Sequence, residues 1–313
     1  MGVVASDATT SAVLAGLRGR GRDVRGMIFA GLLLASLLAS LGILVILLWD
    51  VARRGVPVLL DRGASFLTSP NSTIATRAGI GQALAGSLVM MAIVAVVAFP
   101  IGVGAAVYLE EYARDSRLTR FIAANIRNLA GVPSIVYGIL GLVIFVEAMS
   151  KIVTMWSTGS LLSGGLTLAV LVLPIVIITT SEALRAVPQG IREAAYGVGA
   201  TRWEVIRSHV LPSAAPGIVT GTVISLARAF GETAPLLLVG AARGFISTGN
   251  GSTVEKLLDS PWTAVPVTIL DWMTRPQVEF RDLASAAIVV MMVILLAVNG
   301  FAIWLRNRYE QKW

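Results

Sequence analysis

The stretch Leu161–Ser181 reads Leu-Leu-Ser-Gly-Gly-Leu-Thr-Leu-Ala-Val-Leu-Val-Leu-Pro-Ile-Val-Ile-Ile-Thr-Thr-Ser and contains no charged residue. An α-helix rises about 1.5 Å per residue, so about 20 apolar residues cross the hydrocarbon core of a bilayer. This stretch is therefore long enough to span a membrane. A buried helix of a soluble protein is the alternative, and one stretch alone does not exclude it.

Five more charge-free stretches of at least 18 residues follow the same pattern: Met27–Trp49, Leu84–Val107, Leu129–Val146, Val210–Ala227 and Leu283–Leu305. Charged residues make up only 14% of the chain, against about 25% in soluble domains. The mean hydropathy is +0.80. A soluble protein rarely contains six such stretches. The sequence thus predicts an all-α integral membrane protein whose six spans occupy residues 27–305.

The distribution of basic residues predicts the orientation of these spans. Six spans place both termini on the same side of the membrane. If that side is the cytoplasm, the cytoplasmic segments hold 15 of the 25 Lys and Arg residues, as the positive-inside rule requires. We therefore expect a multi-pass protein of the cytoplasmic (inner) membrane. Its cytoplasmic parts are a basic N-terminal tail at 1–26, a turn at 110–127, a loop at 182–209 and a C-terminal tail at 306–313.

The cytoplasmic loop 182–209 carries the signals of two short helices. Pro188 can begin the first helix, and Gly199 can end or bend it. Thr201 can cap a second helix over Ala200–Arg207, which leaves Trp203 exposed. Two short helices on the cytoplasmic side would form a projection that can insert into a cleft of another protein.

The residues of this loop resemble the EAA loop of ABC-importer permeases. The matching positions are Glu193-Ala-Ala195, then Gly199 after three residues, and later Leu211-Pro212. In that family the loop forms a coupling helix that inserts into a cleft of a separate ATP-binding subunit. The resemblance implies the type I importer fold, of MetI-like architecture. It also implies that an ATPase docks on Glu193, Ala194, Ala195, Gly199, Thr201, Arg202 and Trp203.

Three further segments are similar to the PstA permeases of phosphate importers: Asn128–Gly138, Ala227–Leu236 and Asn299–Arg308. The likeness extends over essentially the whole chain from Arg25. It implies a subunit that forms half of a phosphate pathway. The implied partners are a PstC-like permease, two copies of a PstB-like ATP-binding subunit and a PstS-like phosphate-binding protein.

One pair of ionisable residues falls in the fifth span. Arg228 and Glu232 are four residues apart and would share a helix face, where a charge is costly unless it is paired or meets water. A guanidinium can bind phosphate oxygens through parallel hydrogen bonds, and a carboxylate can accept the phosphate hydroxyl that sulfate lacks. A structural ion pair is the alternative. With the resemblance, the predicted substrate pathway comprises Arg228, Glu232, Thr233, Thr179, Thr180, Ser134 and Tyr137.

The chain departs from the family pattern around one of these positions. In many relatives an Arg precedes the pair Thr179-Thr180 and a Glu follows it. This chain has Ile178 and Ser181 there, with Glu182 one step on. The second charged pair of the pattern is therefore missing or reduced to Glu182, which argues against a relay of several arginines through this subunit.

Other function classes lack their motifs. The sequence has no Gly-x-x-x-x-Gly-Lys-Ser/Thr, so we expect no enzyme and no catalytic residue, with ATP and Mg²⁺ bound by the partner ATPase and no cofactor in this chain. One His and no Cys argue against a metal site. Scattered arginines argue against nucleic-acid binding. The alternatives that stay open are the permease of a related oxyanion importer (PstC-like, or for sulfate, molybdate or phosphonate) and a self-contained secondary carrier.

Overall fold

The computed structural model describes residues 24–152, 160–241 and 262–309. All regular elements in these ranges are helical, and six of the helices are long and apolar enough to cross a membrane. The predicted all-α fold with six spans is confirmed. The N-terminal tail before Val24 and the end of the C-terminal tail lie outside the described residues.

The helices of these ranges follow one another as long spans joined by short helical segments. In three places a π-helical turn continues an α-helix: Tyr108–Tyr112, Leu142–Ala148 and Ile206–Val210. The α-helices are Val24–Arg62, Ala64–Thr68, Gly81–Val107, Arg117–Ala130, Ser134–Gly141, Met149–Ile152, Leu161–Arg185, Gln189–Gly197, Arg202–Val205, Leu211–Gly231, Ala234–Leu238, Val265–Thr274 and Val278–Tyr309.

The chain divides into two compact units, Met1–Val51 and Ala52–Trp313. Within the described residues, the first unit is the beginning of span one, the helix Val24–Arg62. Its apolar side chains, such as Leu32, Leu37 and Ile46, are exposed. A helix that is apolar on all sides is typical of a membrane span.

Span four, Leu161–Arg185, is the most buried span of the second unit. Of its most apolar 18 residues 67% are buried, against 28% or less in spans two, three, five and six. Its side chains Leu168, Leu171 and Val172 lie in the largest apolar cluster of the unit. Span four therefore forms the axis on which spans two and five pack.

Glycines set the register of these contacts. A Cβ at Gly102 of span two would lie 2.6 Å from Val176 Cγ1, and a Cβ at Gly165 of span four would lie 2.8 Å from Ile93 Cγ2. From Ile93 to Gly102 in span two, the contacted residues advance from Gly165 to Val176 in span four. The residue numbers rise together along both helices, so spans two and four run parallel. Close approach through small residues is the usual way in which membrane helices pack.

Span five, Leu211–Gly231, runs antiparallel to span four. Gly217 meets Ala183, with 2.8 Å between a Cβ on the glycine and the alanine Cβ, and Gly221 meets the side chain of Thr179. The later glycine of span five thus faces the earlier residue of span four. Gly217 and Gly221 are four residues apart, a spacing at which small residues let two membrane helices approach. Both lie on the face toward span four.

Span three begins at Ser134, inside the charge-free run Leu129–Val146. The first residues of that run end the amphipathic helix Arg117–Ala130. Pro133 causes the break, because the residue before a proline is disfavoured in helical conformation and proline has no N–H to donate. Hydrophobicity alone did not distinguish the end of one helix from the start of the next.

We predict that Gly102→Ala destabilises the protein and that Gly104→Ala, two residues further along the same helix, does not. A Cβ at Gly102 would overlap Val176, whereas a Cβ at Gly104 meets nothing within 4 Å. Overpacking costs about 1–3 kcal/mol, while Gly→Ala at an open helical position gains about 0.5–1 kcal/mol. Thermal unfolding of the purified variants in detergent measures the difference, and equal melting temperatures would contradict the packing.

Candidate functional site

The second short helix of the loop 182–209 begins with a reciprocal cap. The Thr201 N–H donates to Glu204 Oε2 over 2.7 Å, and the Glu204 N–H donates to Thr201 Oγ1 over 3.4 Å. Each side chain satisfies a backbone group that the first turn of a helix leaves without a partner. The prediction that Thr201 caps this helix is confirmed.

The first short helix, Gln189–Gly197, is the predicted coupling helix, and a left-handed residue follows its end. Gly199 has φ = 87°, and its N–H donates to Tyr196 O over 2.9 Å. The next N–H, that of Ala200, donates to Ala195 O over 3.2 Å. Glycine adopts this conformation without the steric cost that a Cβ brings. The predicted bend at Gly199 is confirmed, and it turns the chain toward the second helix.

The two short helices present an exposed surface. Of the residues predicted to dock an ATPase, all but one are exposed: Glu193, Ala194, Gly199, Thr201, Arg202 and Trp203. The exception is Ala195, which is 5% exposed and packs in the cluster that contains Leu184, Val205 and Val210. Ala195 thus holds the first short helix against the rest of the chain, and its neighbours form the exposed surface.

Sequence reasoning missed two apolar residues of this surface. Val198 is 85% exposed and Tyr196 is 45% exposed, beside Trp203 at 54%. Large apolar side chains that are exposed together in water mark interaction surfaces. Tyr196 lies near the end of the first short helix and Val198 directly after it, and their place among the residues predicted to dock an ATPase was a signal that could have found them. We define the docking surface as Glu193, Ala194, Tyr196, Val198 and Trp203.

Arginines fasten this loop to the end of span two. Arg192 of the coupling helix donates to Glu111 Oε1 over 2.8 Å. Arg185, the last residue of span four, donates through Nε and one terminal nitrogen to the two carboxylate oxygens of Glu110, each over 2.7 Å. The Arg202 guanidinium lies 5.1 Å from the centre of the Tyr112 ring. The sequence analysis assigned no role to Glu110 or Glu111.

The ionisable pair lies at the other end of span five. The helix ends at Gly231, and Glu232 is its extended C-cap residue. Arg228 Nε lies 3.5 Å from Glu232 Oε1, and the side chains are 46% and 17% exposed. The two residues therefore approach each other across the helix end, and the guanidinium keeps an open side.

The start of span three lies beside this pair. A Cβ at Gly138 would lie 2.7 Å from Pro235 Cα, so span three contacts the segment that follows Glu232. Tyr137, the residue before Gly138, donates through its hydroxyl to Leu129 O over 2.8 Å. Ser134 lies one turn before this contact and Thr233 follows Glu232, both half-buried. The structure thus brings the predicted residues Ser134, Tyr137, Arg228, Glu232 and Thr233 into one region.

The two threonines of span four lie elsewhere. Thr179 faces Gly221, seven residues before Arg228, which corresponds to about 10 Å along a helix. Its hydroxyl donates to Ile175 O of its own helix over 2.9 Å. Thr180 is 1% exposed, and its Oγ1 has no hydrogen-bond partner among the described residues. In this conformation neither threonine adjoins the Arg228–Glu232 pair.

A cleft of about 600 Å³ opens beside the C-terminal ends of spans two and four. Ile178 and Ser181 of span four line it. Arg127 of the helix Arg117–Ala130 lines the same cleft, with Arg114 and Arg120 nearby on its wall. Arg185 of span four lines the cleft as well, so its basic residues come both from span four and from the segment between spans two and three.

The fold and the loop agree with comparisons to known proteins. Residues 98–312 match the family described as "Binding-protein-dependent transport system inner membrane component". The chain belongs to this family. The permease is 34% identical to a phosphate transport system permease protein PstA of Yersinia pestis over 86% of this chain and 85% of that protein. It is 31% identical to a probable ABC transporter permease, YqgI, of Bacillus subtilis over 79% and 84% of the two chains.

Solved structures support the fold alone. The permease resembles a chain of a bacterial alginate ABC transporter with a TM-score of 0.62 and 16% identity, over 93% of this chain and 99% of that one. It also resembles a chain of the MetNI methionine ABC transporter with a TM-score of 0.54 and 17% identity, over 74% and 95% of the two chains. The predicted MetI-like permease architecture is confirmed, and the permease is a multi-pass membrane subunit of an ABC transporter.

We predict that Gly199→Ala loosens the cytoplasmic loop and that Gly197→Ala leaves it intact. Both glycines are exposed with open space around them, but only Gly199 is left-handed. A Cβ in that conformation costs about 1–2 kcal/mol. The fraction of molecules in which the loop is locally unfolded should therefore rise roughly five- to thirtyfold. The rate of tryptic cleavage within residues 189–210 of the purified permease measures this population. Equal cleavage rates in the two variants would contradict the assigned role of Gly199.

Proposed function

We propose that this chain is the PstA-type permease subunit of an ATP-driven phosphate importer. The observation that carries the proposal is the Arg228–Glu232 pair, a donor fork and an acceptor placed side by side at the end of span five. The curated phosphate permeases to which the chain is similar support the same substrate. The docking surface at the opposite end of span five supports drive by a separate ATPase.

The chemistry of the pair suits phosphate near neutral pH. A guanidinium offers parallel N–H donors to two phosphate oxygens. Phosphate keeps at least one hydroxyl, which can donate to the carboxylate of Glu232. Sulfate has no hydroxyl at this pH and would leave that acceptor without a partner, which disfavours it strongly. Because the Arg228–Glu232 contact is a long one of 3.5 Å, an anion can replace it at small cost.

The proposed assembly supplies the other parts of the importer that the EAA loop implies. A PstC-like permease supplies the other half of the pathway, and two PstB-like subunits bind ATP and Mg²⁺. A PstS-like protein delivers phosphate from outside, and both termini lie in the cytoplasm. Closure of the ATPase clefts pulls the coupling helix and switches the pathway between inward- and outward-facing states.

We predict that Glu232→Gln lowers phosphate uptake and admits sulfate. An amide can donate to sulfate, while the loss of a charged acceptor costs phosphate about 1.5–3 kcal/mol, roughly ten- to a hundredfold in uptake. Uptake of both labelled anions into proteoliposomes that contain the whole complex measures the change. Glu147→Gln is the matched control, because Glu147 is an exposed carboxylate of span three away from the pair.

The exchanged variant, Arg228→Glu with Glu232→Arg, separates a substrate role from a structural ion pair. A structural pair keeps its attraction after the exchange, and uptake should then return. An anion site loses its guanidinium from the required position, so we expect uptake to stay low. Recovery to wild-type uptake would contradict the proposed role of the pair.

A further inference from the structure

One guanidinium joins three segments at the cytoplasmic end of the permease. Arg192, on the coupling helix, donates to Glu111 Oε1 at the end of span two over 2.8 Å. It also donates to Leu184 O and Val187 O, each over 2.8 Å, at the end of span four. Leu184 is the penultimate residue of span four and Val187 follows the helix end, so both bonds hold the guanidinium against the C-terminus of that span.

This contact is shielded from water. The side chains of Arg192 and Glu111 are 12% and 8% exposed. Charged hydrogen bonds are stronger in such surroundings, and the partner of a removed charge is left without compensation. By comparison, the Arg120–Asp115 pair on the same side of the chain is 3.6 Å long with side chains 68% and 79% exposed. Exposed pairs of that kind contribute little.

Two more contacts join span two to arginines of the same segment, one on each side of Glu111 in the sequence. Arg185 holds Glu110, and Arg202 lies over the Tyr112 ring. Three consecutive residues of span two therefore contact three arginines of the cytoplasmic segment. The contacts come from the π-helical turn Tyr108–Tyr112, with which span two ends.

We propose that Glu111 and Arg192 are a positioning pair that transmits the displacement of the coupling helix to span two. The chain itself connects the coupling helix only to spans four and five. Span two has no such connection along the chain. It follows the ATPase through this buried pair, with the Arg202–Tyr112 contact beside it, and through its packing and the Glu110–Arg185 contact along span four. The inference rests on the proposed function, because it assigns the route by which ATP drives the pathway.

The test uses the absence of cysteine from this chain. Glu111→Cys with Arg192→Cys removes the pair and provides two thiols that a reversible bifunctional thiol reagent can bridge. The readout is phosphate taken up per ATP hydrolysed by the assembled complex in proteoliposomes. We expect this ratio to fall about tenfold in the double variant, to recover on cross-linking and to fall again on reduction.

Two controls keep the readout specific. The complex with the cysteine-free wild-type chain, treated with the same reagent, reports any effect on partner subunits. Asp115→Asn removes the exposed carboxylate of the neighbouring ion pair and should leave the ratio unchanged. A merely structural role would lower uptake and ATP hydrolysis together, in proportion to the amount of complex, and would leave the ratio intact.

The outcomes separate this inference from the proposed function. Wild-type complex that takes up no phosphate overturns the proposed function before any variant is compared. If the wild-type complex couples uptake to hydrolysis, an unchanged ratio in the double variant overturns the positioning pair alone. A ratio that falls and is not restored by cross-linking also overturns it, because a restored tether should restore transmission.

Discussion

The packing of span four against its neighbours is the contact on which the rest of the permease depends. Gly102 and Gly165 let spans two and four approach closely, and Gly217 and Gly221 do the same for span five. In a bilayer the hydrophobic effect does not drive helices together, so close contact between small residues supplies the attraction. This packing places the cytoplasmic ends of three spans side by side, where the loop can join them.

The two functional regions lie at opposite ends of span five and use charge differently. At the end near the loop 182–209, Arg192 is enclosed by Glu111 and by backbone carbonyls, which accept three of its N–H donors. At the other end, Arg228 keeps almost half of its side chain exposed and makes one long contact to Glu232. The first arrangement is suited to holding segments together. The second is suited to exchanging a weak internal contact for an anion.

Much of this organisation is readable in the sequence. Charge-free runs locate the spans, and Thr201 and Gly199 fix the ends of the short helices, because capping and left-handed backbone depend on local chemistry. The charge-free run from Leu129 does not by itself locate the start of span three at Ser134, since the run is apolar through the break that Pro133 imposes. Three features depend on tertiary packing: the burial of Ala195, the distance of Thr179 from Arg228 and the Glu111–Arg192 pair. None of them leaves a local signal.

The central claim is that this permease moves phosphate only when a separate ATPase drives it. The most direct measurement is the ATPase rate of the purified complex in proteoliposomes with binding protein loaded with phosphate or with sulfate, alongside uptake by this chain reconstituted alone with an ion gradient. The account predicts stimulation by the phosphate-loaded protein, none by the sulfate-loaded protein, and no uptake by the chain alone. Phosphate uptake by this chain without the ATPase would contradict it.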